Sequence, residues 1–466
     1  MTKDTEVDMK DVELNEMDPE KQPMTADAQV AVGEKNGSVK LKVPEDEVAF
    51  TGLSKEELMK VAGTPGWVRT RWMLLVLFWL GWVGMLAGAI VIIVQAPRCK
   101  PLPEMNWWND GPLYQIPDVD AFCLEQRLDE ISQLKVKGLV LGPLHTVQEN
   151  QQSTLNLKEI DAAVGREEDL KSVLKKADDK GQPMNMEAIR GSVPEILAAA
   201  EHWLKLGVSG FKLSAFNVAA NSPHWSHLQT VVQGNHTEGT SKRLLMGVVE
   251  HESAASVHQL LNTTGVALIL SDLLSSKTGG RAMDHLHAQQ RKVGWGLGAV
   301  QQDQLSKQAT GPALIRLYQL LLLTMPGTPV FTYGDEIGLE GNQKHPKMVW
   351  NVETEAEYAA TRKWFKGLSD LRGKERSLLH GDYYPLYASN SSLSFLRVWD
   401  QSERYITAVN WGAEKQTLKL KGLELPKKAK VKLSTDSKLE AESNVNLDSV
   451  ELEPGQAVLL QFPYTG

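Results

Sequence analysis

The hydrophobic positions of this chain fall into three regions with different patterns. The first is residues 72–94, a run of 23 residues without a charge. At about 1.5 Å per residue, a helix of this length crosses about 30 Å of hydrocarbon. A buried helix of a soluble protein would carry a polar stripe, and this run has none. The pattern therefore predicts a single transmembrane helix.

The flanks of the run predict its orientation. The run begins too late and is too long for a cleaved signal peptide, so we expect an uncleaved signal anchor. Basic residues are more frequent before it than after it: Lys55, Lys60, Arg69 and Arg71, against Arg98 and Lys100. This bias favours a cytoplasmic N-terminus and an extracellular C-terminus. Residues 51–66 hold a capping-box-like Ser54-Lys55-Glu56-Glu57 start and a Pro-Gly stop, which predict a short helix before the membrane.

The second region alternates short apolar runs with helical periods, and it begins beyond Cys99. The strand-like runs are 112–116, 138–142, 210–214, 244–249, 266–270 and 328–333, and helical stretches such as 168–180, 194–206 and 314–324 lie between them. Alternation of this kind is typical of a parallel sheet with crossover helices. The fold class predicted is α/β, with a (β/α)8 TIM-like barrel as its architecture.

The third region predicts a small antiparallel β domain that follows the barrel. Its turn-separated β-rich segments are 393–400, 404–412, 417–422 and 457–464. The acidic first 50 or so residues have few aromatics and no sustained periodicity, which predicts a disordered cytoplasmic tail. The expected boundaries are a tail with a short helix at 1–71, a span at 72–94, a neck at 95–104, a barrel at 105–380 and a β domain at 381–466.

Composition excludes several classes of function. The formal net charge of the 466 residues is -8, which argues against a nucleic-acid partner, since binding to phosphates needs a basic face. With Cys99 and Cys123 as the two cysteines, a disulfide scaffold is excluded and a packed core must stabilise the fold. The histidines show no metal-ligand spacing, so we expect neither a metal nor a cofactor.

Several stretches resemble the α-amylase-type glycoside hydrolases. Residues 311–341, with the sequence PGTPVFTYGDEIG, are similar to the end of that family's barrel, and WWNDGPLYQI (107–116) is similar to its first strand. Residues 134–145 and 368–383 resemble its second strand and the helix that enters its C-terminal β domain. The resemblance covers most of residues 105–466 and implies the same barrel and β domain.

The family's chemistry requires acidic residues that this chain lacks at the matching positions. Its mechanism places two carboxylates across the glycosidic bond. The resemblance puts Ser214 at the place of the nucleophile and Lys212 at that of a supporting arginine. Gln301 stands where a second aspartate is required, and the best register puts Val249 at the acid's position, with Glu250 one residue later. These substitutions predict a protein without glycosidase activity.

A narrower resemblance is to the heavy chains of heteromeric amino-acid transporters, and among them to the 4F2-type chains. It rests on residues 51–72, on KERSLLHGD (374–382) and on the final LLQFPY (459–464). It implies an ancillary subunit that stabilises a multi-span light chain and brings it to the plasma membrane. It also implies association with integrin β subunits through the span and tail. Two rival functions are a pure adhesion receptor and an active membrane-anchored glycosidase.

Cys99 and three glycines are the candidate contacts with a partner. In the family, a cysteine just outside the membrane forms a disulfide with the light chain. The resemblance therefore implies that role for Cys99, against an intrachain bond to Cys123 or a spare thiol. Cys123 lies on or before an amphipathic helix, where a buried free cysteine is common. Gly81, Gly84 and Gly88 share one face of the span and would let another helix approach closely, although glycine is also frequent in spans.

Three sequons lie on the side predicted to be extracellular. They begin at Asn235, Asn262 and Asn390. A sequon on an exposed loop of a secreted domain is usually usable. We therefore expect an N-glycosylated surface protein.

Overall fold

The computed structural model of the chain forms two compact units, residues 1–96 and 97–466. It describes residues 54–96, 99–145, 156–188, 193–214, 216–234, 242–272, 283, 286–296, 304–341, 346–422, 425–436 and 438–465. The prediction of a disordered tail falls on residues outside these ranges.

The described part of the first unit consists of two helices. Helix α1, Lys55–Ala62, begins with the predicted capping box: the Glu57 amide donates to Ser54 Oγ at 3.4 Å, and the Ser54 amide donates to Glu57 Oε2 at 3.2 Å. Helix α2, Pro65–Gln95, starts on a proline, whose fixed φ and missing N–H suit the first helical position. None of its 31 residues is buried. Among the described residues, α2 is the one helix that is long and apolar enough to cross a membrane.

Eight parallel strands close into a barrel, as the sequence predicts. Each strand pairs with its neighbours in chain order, and β8 pairs with β1. The strands are β1 Leu113–Ile116, β2 Gly138–Leu141, β3 Met184–Ala188, β4 Gly210–Leu213, β5 Leu244–Val249, β6 Leu268–Ser271, β7 Val293–Trp295 and β8 Thr328–Thr332. Strand β3 bonds to β2 and to β4, so the third strand is intact although the segment around it is short.

Helices surround the barrel and bury its outward-facing residues. Alternate strand residues such as Phe211 and Phe331 pack against these helices in the largest core cluster, while Val140, Met246 and Val248 fill the barrel interior. The described helices of this unit are α3 Ala121–Gln133, α4 Glu167–Asp179, α5 Val193–Leu206, α6 Phe216–Ala220, α7 Trp225–Gln233, α8 Ala254–Thr264, α9 Leu305–Gln308, α10 Pro312–Thr324, α11 Ala356–Lys374 and α12 Arg376–Leu379.

An antiparallel β region follows α12. Its six-stranded sheet has the order β14-β13-β16-β11-β10-β9, and β12 pairs with β15 in a separate two-stranded sheet. The strands are β9 Asp382–Ala388, β10 Ser392–Val398, β11 Arg404–Asn410, β12 Gln416–Leu418, β13 Lys428–Ser434, β14 Asn444–Asn446, β15 Val450–Leu452 and β16 Gln456–Phe462. The predicted segments 393–400, 404–412 and 457–464 correspond to β10, β11 and β16.

Two buried arginines lie where the barrel meets this sheet, and Arg397 bonds across the junction. Arg372 of α11 donates from Nη1 to the carbonyls of Leu323 and Met325, at 2.7 and 2.8 Å. Arg397 of β10 donates from Nη1 to the carbonyl of Thr324 at 2.7 Å. These carbonyls lie at and just beyond the C-terminal end of α10, where the helix dipole is negative and attracts cations. At this junction, which we call the joint, two buried guanidinium groups therefore donate to carbonyls at the end of a helix.

Candidate functional site

The carboxyl end of the barrel, where TIM-barrel enzymes carry their active sites, holds a closed polar network. Ser214 follows β4, and its Oγ donates to Glu187 Oε1 of β3 at 2.5 Å. Lys212 Nζ donates to Glu187 Oε2 at 3.2 Å and to Gln115 Oε1 at 2.8 Å. The Lys212 side chain is 1% exposed and that of Glu187 is 10% exposed. The ammonium and the carboxylate therefore neutralise each other in a buried place.

The network gives Lys212 a different partner from the one expected. Sequence comparison puts Lys212 at the place of an arginine that supports the residue at 214. In the structure, Lys212 instead pairs with Glu187, a residue that sequence reasoning did not single out. Both Asn185 and Glu187 alternate with outward-facing Met184 and Met186 on β3. This period of two is the sequence signal that could have placed Glu187 in the barrel interior. Because Lys212 and Ser214 both donate to Glu187, its carboxylate is fixed in position.

Strand β5 does not present Val249 to the barrel interior. Leu245 and Val249 lie in the outer core cluster, while Met246 and Val248 lie in the inner one. The register that put Val249 at the acid's place therefore does not fit the observed alternation, since adjacent strand residues face opposite sides. The inward position at this end of β5 is also a valine, Val248. Glu250 follows the strand and is half-buried.

At the end of β6, a carboxylate binds a backbone amide. Asp272, just after β6, accepts the His251 amide on both oxygens at 3.1 Å. His251 has a φ of 61°, a strained value for a non-glycine residue, and these two bonds support it. Gln301, the remaining position of the degenerate triad, lies outside the described residues.

The turn after β8 buries two more carboxyl groups. Asp335 Oδ2 accepts the Thr332 amide and Oδ1 the Leu305 amide, each at 2.7 Å. Burial raises the pKa of Asp335 to about 8, against the opposing effect of these two bonds. Glu336 accepts the Tyr114 hydroxyl at 3.0 Å, and burial raises its pKa too. Tyr114 and Glu336 belong to the "YQI" and "YGDEIG" stretches, so the two stretches that resemble amylases contact each other.

Cys99 and Cys123 are both exposed free thiols. Cys123 lies in the first turn of α3 and is not the buried cysteine that is common at such positions. Asp120, which accepts the Cys123 amide and lies beside the thiol, raises the pKa of Cys123. Cys99 precedes Lys100, whose amide donates to Asp400 at 3.0 Å and whose Nζ lies 3.2 Å from Asp382 Oδ2. The chain is thus held to the β region directly after Cys99.

The three glycines of the span lie within α2. Gly81, Gly84 and Gly88 are exposed, and a Cβ built on any of them meets nothing within 4 Å. At spacings of three and four residues they share one face of the helix.

Two of the three sequon asparagines can be placed. Asn390 is exposed in the turn between β9 and β10, and Asn262 is exposed in the last turn of α8. The side-chain nitrogen of Asn262, Nδ2, hydrogen-bonds to His258 Nε2 at 3.0 Å, and its side-chain oxygen accepts from Gln289. Asn235 lies outside the described residues.

The fold defines an amylase-like barrel protein with an apolar N-terminal helix. Among solved structures, the debranching enzyme from Nostoc punctiforme superimposes with a TM-score of 0.62 at 18% identity, over 78% of this chain and 100% of that one. The α-amylase from Geobacillus thermoleovorans superimposes with a TM-score of 0.59 at 16% identity, over 78% and 100%. Similarity at this level shows the fold, and it confirms the predicted barrel with its antiparallel β region.

Comparison with curated proteins shows the family. The chain is 42% identical to the amino acid transporter heavy chain SLC3A2 of Mus musculus, over all of both chains. It is 20% identical to the heavy chain SLC3A1 of Rattus norvegicus, over 88% of this chain and 86% of that one. Residues 38–114 match the family model "Solute carrier family 3 member 2 N-terminus". The chain belongs to the SLC3A2 family of amino acid transporter heavy chains, and the resemblance to 4F2-type chains is confirmed.

Proposed function

We propose that this chain is a non-catalytic ancillary subunit that binds a multi-span amino-acid transporter light chain, stabilises it and accompanies it to the plasma membrane. The observation that carries the proposal is the exposed thiol of Cys99, four residues after the end of an apolar helix, in a chain of the heavy-chain family. One apolar span without internal charge offers no path for a substrate. Translocation therefore belongs to the partner.

A disulfide through Cys99 is the proposed covalent link. Four residues reach at most about 14 Å, so the sulfur stays close to the end of the span. Exposure makes the thiol accessible, and the anchored Lys100 limits how far Cys99 can move from the β region. The disulfide would raise the effective concentration of the partner without forming the interface.

Helix packing in the membrane is the proposed noncovalent link. Within the membrane no hydrophobic drive brings helices together, so close backbone approach matters. The face formed by Gly81, Gly84 and Gly88 offers that approach, while the large apolar side chains elsewhere on α2 suit contact with lipid. Integrin β subunits, implied by the resemblance through the same span and the tail, are proposed as further partners.

The proposed topology is single-pass type II, with a cytoplasmic N-terminus and an N-glycosylated extracellular region. Basic residues before the span support this orientation. The exposed sequons at Asn262 and Asn390 support glycosylation, and Asn235 is proposed as the third site. The proposed domains are 1–71, 72–94, 95–104, 105–380 and 381–466. The last boundary lies between α12 and β9, where helices give way to antiparallel strands.

The proposal that the barrel does not hydrolyse sugars rests on its carboxyl end. Retaining and inverting mechanisms both need two carboxyl groups facing one bond, one of them protonating the leaving oxygen. At β4 the chain offers a serine hydroxyl bonded to Glu187, whose charge Lys212 neutralises. A hydroxyl without a free base is a poor nucleophile for this reaction.

Non-reducing electrophoresis of membranes tests the link. Wild type should give a heavier band that collapses on reduction, and Cys99→Ser should lose it. Cys123→Ser is the matched control, because it removes the other exposed thiol, and it should keep the heavier band. A heavier band in Cys99→Ser would rule out the proposed tether. The absence of a heavier band in wild type, with normal surface expression, would favour a pure adhesion receptor.

A turnover assay tests the absence of hydrolysis. The purified full-length chain is incubated with maltose-type saccharides, and no release of glucose above the buffer blank is expected. Ser214→Asp should not create activity, because the new carboxylate would lie beside Glu187, whose charge Lys212 already neutralises. Measurable turnover by wild type would restore the glycosidase alternative.

A further inference from the structure

A small cavity lies at the opposite end of the barrel from the Glu187–Lys212 network. Its lining includes residues that precede strands, such as Asn109, Gln290 and Arg291, together with His380 and Arg397 at the junction with the β region. Its volume of about 10 Å³ is the room that one water-sized particle needs. The cavity therefore admits a single small molecule or ion.

Two side chains that line this cavity have buried nitrogens without partners. The Nη atoms of Arg397 are occupied by the carbonyls of Thr324 and Gly381, at 2.7 and 2.9 Å. Its Nε is buried and has no hydrogen-bond partner among the residues that the structure describes, and neither has Nδ1 of His380. Arg397 is 1% exposed. An unsatisfied donor on a fully buried charged group is costly, so Arg397 Nε needs an acceptor that the described residues do not supply, and His380 Nδ1 needs one as well in the tautomer that carries its proton there.

The charge around the cavity is positive. Within the described part of the chain, neither Arg372 nor Arg397 forms an ion pair with a carboxylate, although both are 1% exposed. Burial lowers the pKa of His380, and the positive charges of Arg291, Arg376, Arg397 and Arg372 lower it further. Asp382, the acid that acts on Arg397, is itself bonded to Lys100 at 3.2 Å. Buried charge of one sign normally has a counter-charge.

We propose that this cavity binds a small monovalent anion, chloride being the probe, between Arg397 Nε and His380 Nδ1. The anion would accept from Arg397 Nε and from the Nδ1–H tautomer of His380, and it would offset the charge of Arg372 and Arg397. Gln290 lines the cavity and its Oε1 is buried without a partner among the described residues, and the oxygen and nitrogen of such an amide are interchangeable in assignment. With the amide turned, its NH2 group donates to the anion as a third ligand.

Water is the competing occupant. A water molecule could accept from one nitrogen and donate to Gln290 Oε1, but it would leave the buried positive charge uncompensated. The two occupants differ in their response to salt at constant ionic strength. Water predicts the same stability in chloride and in gluconate, whereas an anion site predicts stabilisation by chloride alone, because a ligand that binds the folded state stabilises it by mass action.

The test is thermal unfolding of the full-length chain in detergent, followed by tryptophan fluorescence in mixtures of sodium chloride and sodium gluconate. Wild type should show a saturable rise in Tm of about 2 °C with chloride, and bromide should substitute for it. Gln290→Glu places a carboxylate in the cavity, so it should raise the Tm in gluconate and abolish the response to chloride. Lys415→Met, which removes an exposed cation bonded to Glu451 and Glu453, should leave the response unchanged.

Direct observation completes the test. Crystals of the full chain grown in bromide should give an anomalous peak between Arg397 and His380. Equal Tm values for wild type in chloride and gluconate would overturn the proposal, and so would a chloride response that persists in Gln290→Glu. A cavity that holds only water in the bromide crystal would overturn it as well. The wild-type measurements decide the question even where the variant fails to fold.

Discussion

The two ends of the barrel both bury charged side chains, but they stabilise the charge differently. At the carboxyl end, the cation of Lys212 faces the anion of Glu187 at 3.2 Å, so charge cancels within the barrel. At the other end, the acceptors that the described residues offer to Arg372 and Arg397 are backbone carbonyls. The first arrangement makes a closed, neutral network at the end of the barrel where TIM-barrel enzymes carry their active sites. The second makes a positively charged joint between the barrel and the β region.

The difference predicts how each end responds to a lost side chain. Removing one member of an ion pair leaves a buried charge without compensation, which costs several kcal/mol. Removing an arginine from the joint leaves carbonyl groups without donors, which costs about 1–3 kcal/mol for the unsatisfied group. The carboxyl end should therefore be the more sensitive of the two to a single substitution.

Lys212→Met tests the larger effect. It leaves the buried Glu187 carboxylate with Ser214 as a donor and without a cation, so we expect the free energy of unfolding to fall by about 3–5 kcal/mol. Thermal and denaturant unfolding of the purified full-length chain measure the loss. The double variant Lys212→Met with Glu187→Met removes both charges and should recover most of it. A single variant within 1 kcal/mol or so of wild type would show that the pair is not a buried charge pair in solution.

Arg397→Met tests the joint. The carbonyls of Thr324 and Gly381 lose their donor, and we expect the free energy of unfolding to fall by about 2–3 kcal/mol. Limited proteolysis should also show earlier cleavage between α12 and β9, since the arginine bonds across this region. Lys415→Met is the control for loss of an exposed cation and should cost less than about 1 kcal/mol. If Arg397→Met cost more than Lys212→Met, the ranking of the two ends would be reversed.

Much of the fold could be predicted from the sequence. Runs such as 244–249 and 328–333 correspond to β5 and β8 because an apolar run of strand length between turns has few other solutions. Strands β3 and β7 were missed for different reasons. The MNMEA segment of β3 has two inward polar residues, Asn185 and Glu187, that break the apolar signal, and β7 has three residues, too few for a pattern.

The chemistry at the barrel end was less predictable. The place of Ser214 at the carboxyl end of the barrel could be predicted, because the residue comes directly after β4. Its hydrogen-bond partner Glu187 could not, because it lies on another strand and a single segment does not show which side chains meet across strands. The position of Val249 is hard to predict because a shift of one residue on a strand exchanges the two faces, and in the structure its side chain lies in the outer core cluster. The joint shows the same limit: Arg372 and Arg397 look like ordinary surface arginines in sequence, and only the packing of α11 and β10 buries them.

Asp335 adds a pH dependence to the carboxyl end of the barrel. Burial raises its pKa to about 8, above an unfolded value of about 4. The folded state then binds more protons than the unfolded state between these values, so stability is full below about pH 4 and is lost as the pH rises toward 8. We expect the free energy of unfolding to fall by about 1.4 kcal/mol per pH unit across this window.

Unfolding measured from pH 5 to pH 9 checks this slope. Asp335→Asn should flatten it, although the variant starts from a lower stability because one NH2 group then faces a backbone amide. Asp370→Asn, at an exposed position in α11 bonded to Lys374 at 2.6 Å, should keep the wild-type slope. A slope that is unchanged in Asp335→Asn would assign the dependence to other groups.

The smallest expected effect concerns the contact between the two stretches that resemble amylases. Tyr114→Phe removes the hydroxyl that donates to Glu336 Oε1 at 3.0 Å, while the Gly334 amide still donates to Oε2 at 2.9 Å. One donor to a buried carboxyl group is lost, so we expect the free energy of unfolding to fall by about 1–2 kcal/mol. Tyr384→Phe, on the exposed side of β9 with 50% of the residue exposed, is the matched control and should be neutral. If the two variants behaved alike, the Tyr114 bond would contribute nothing, and apolar packing alone would hold β1 against the turn after β8.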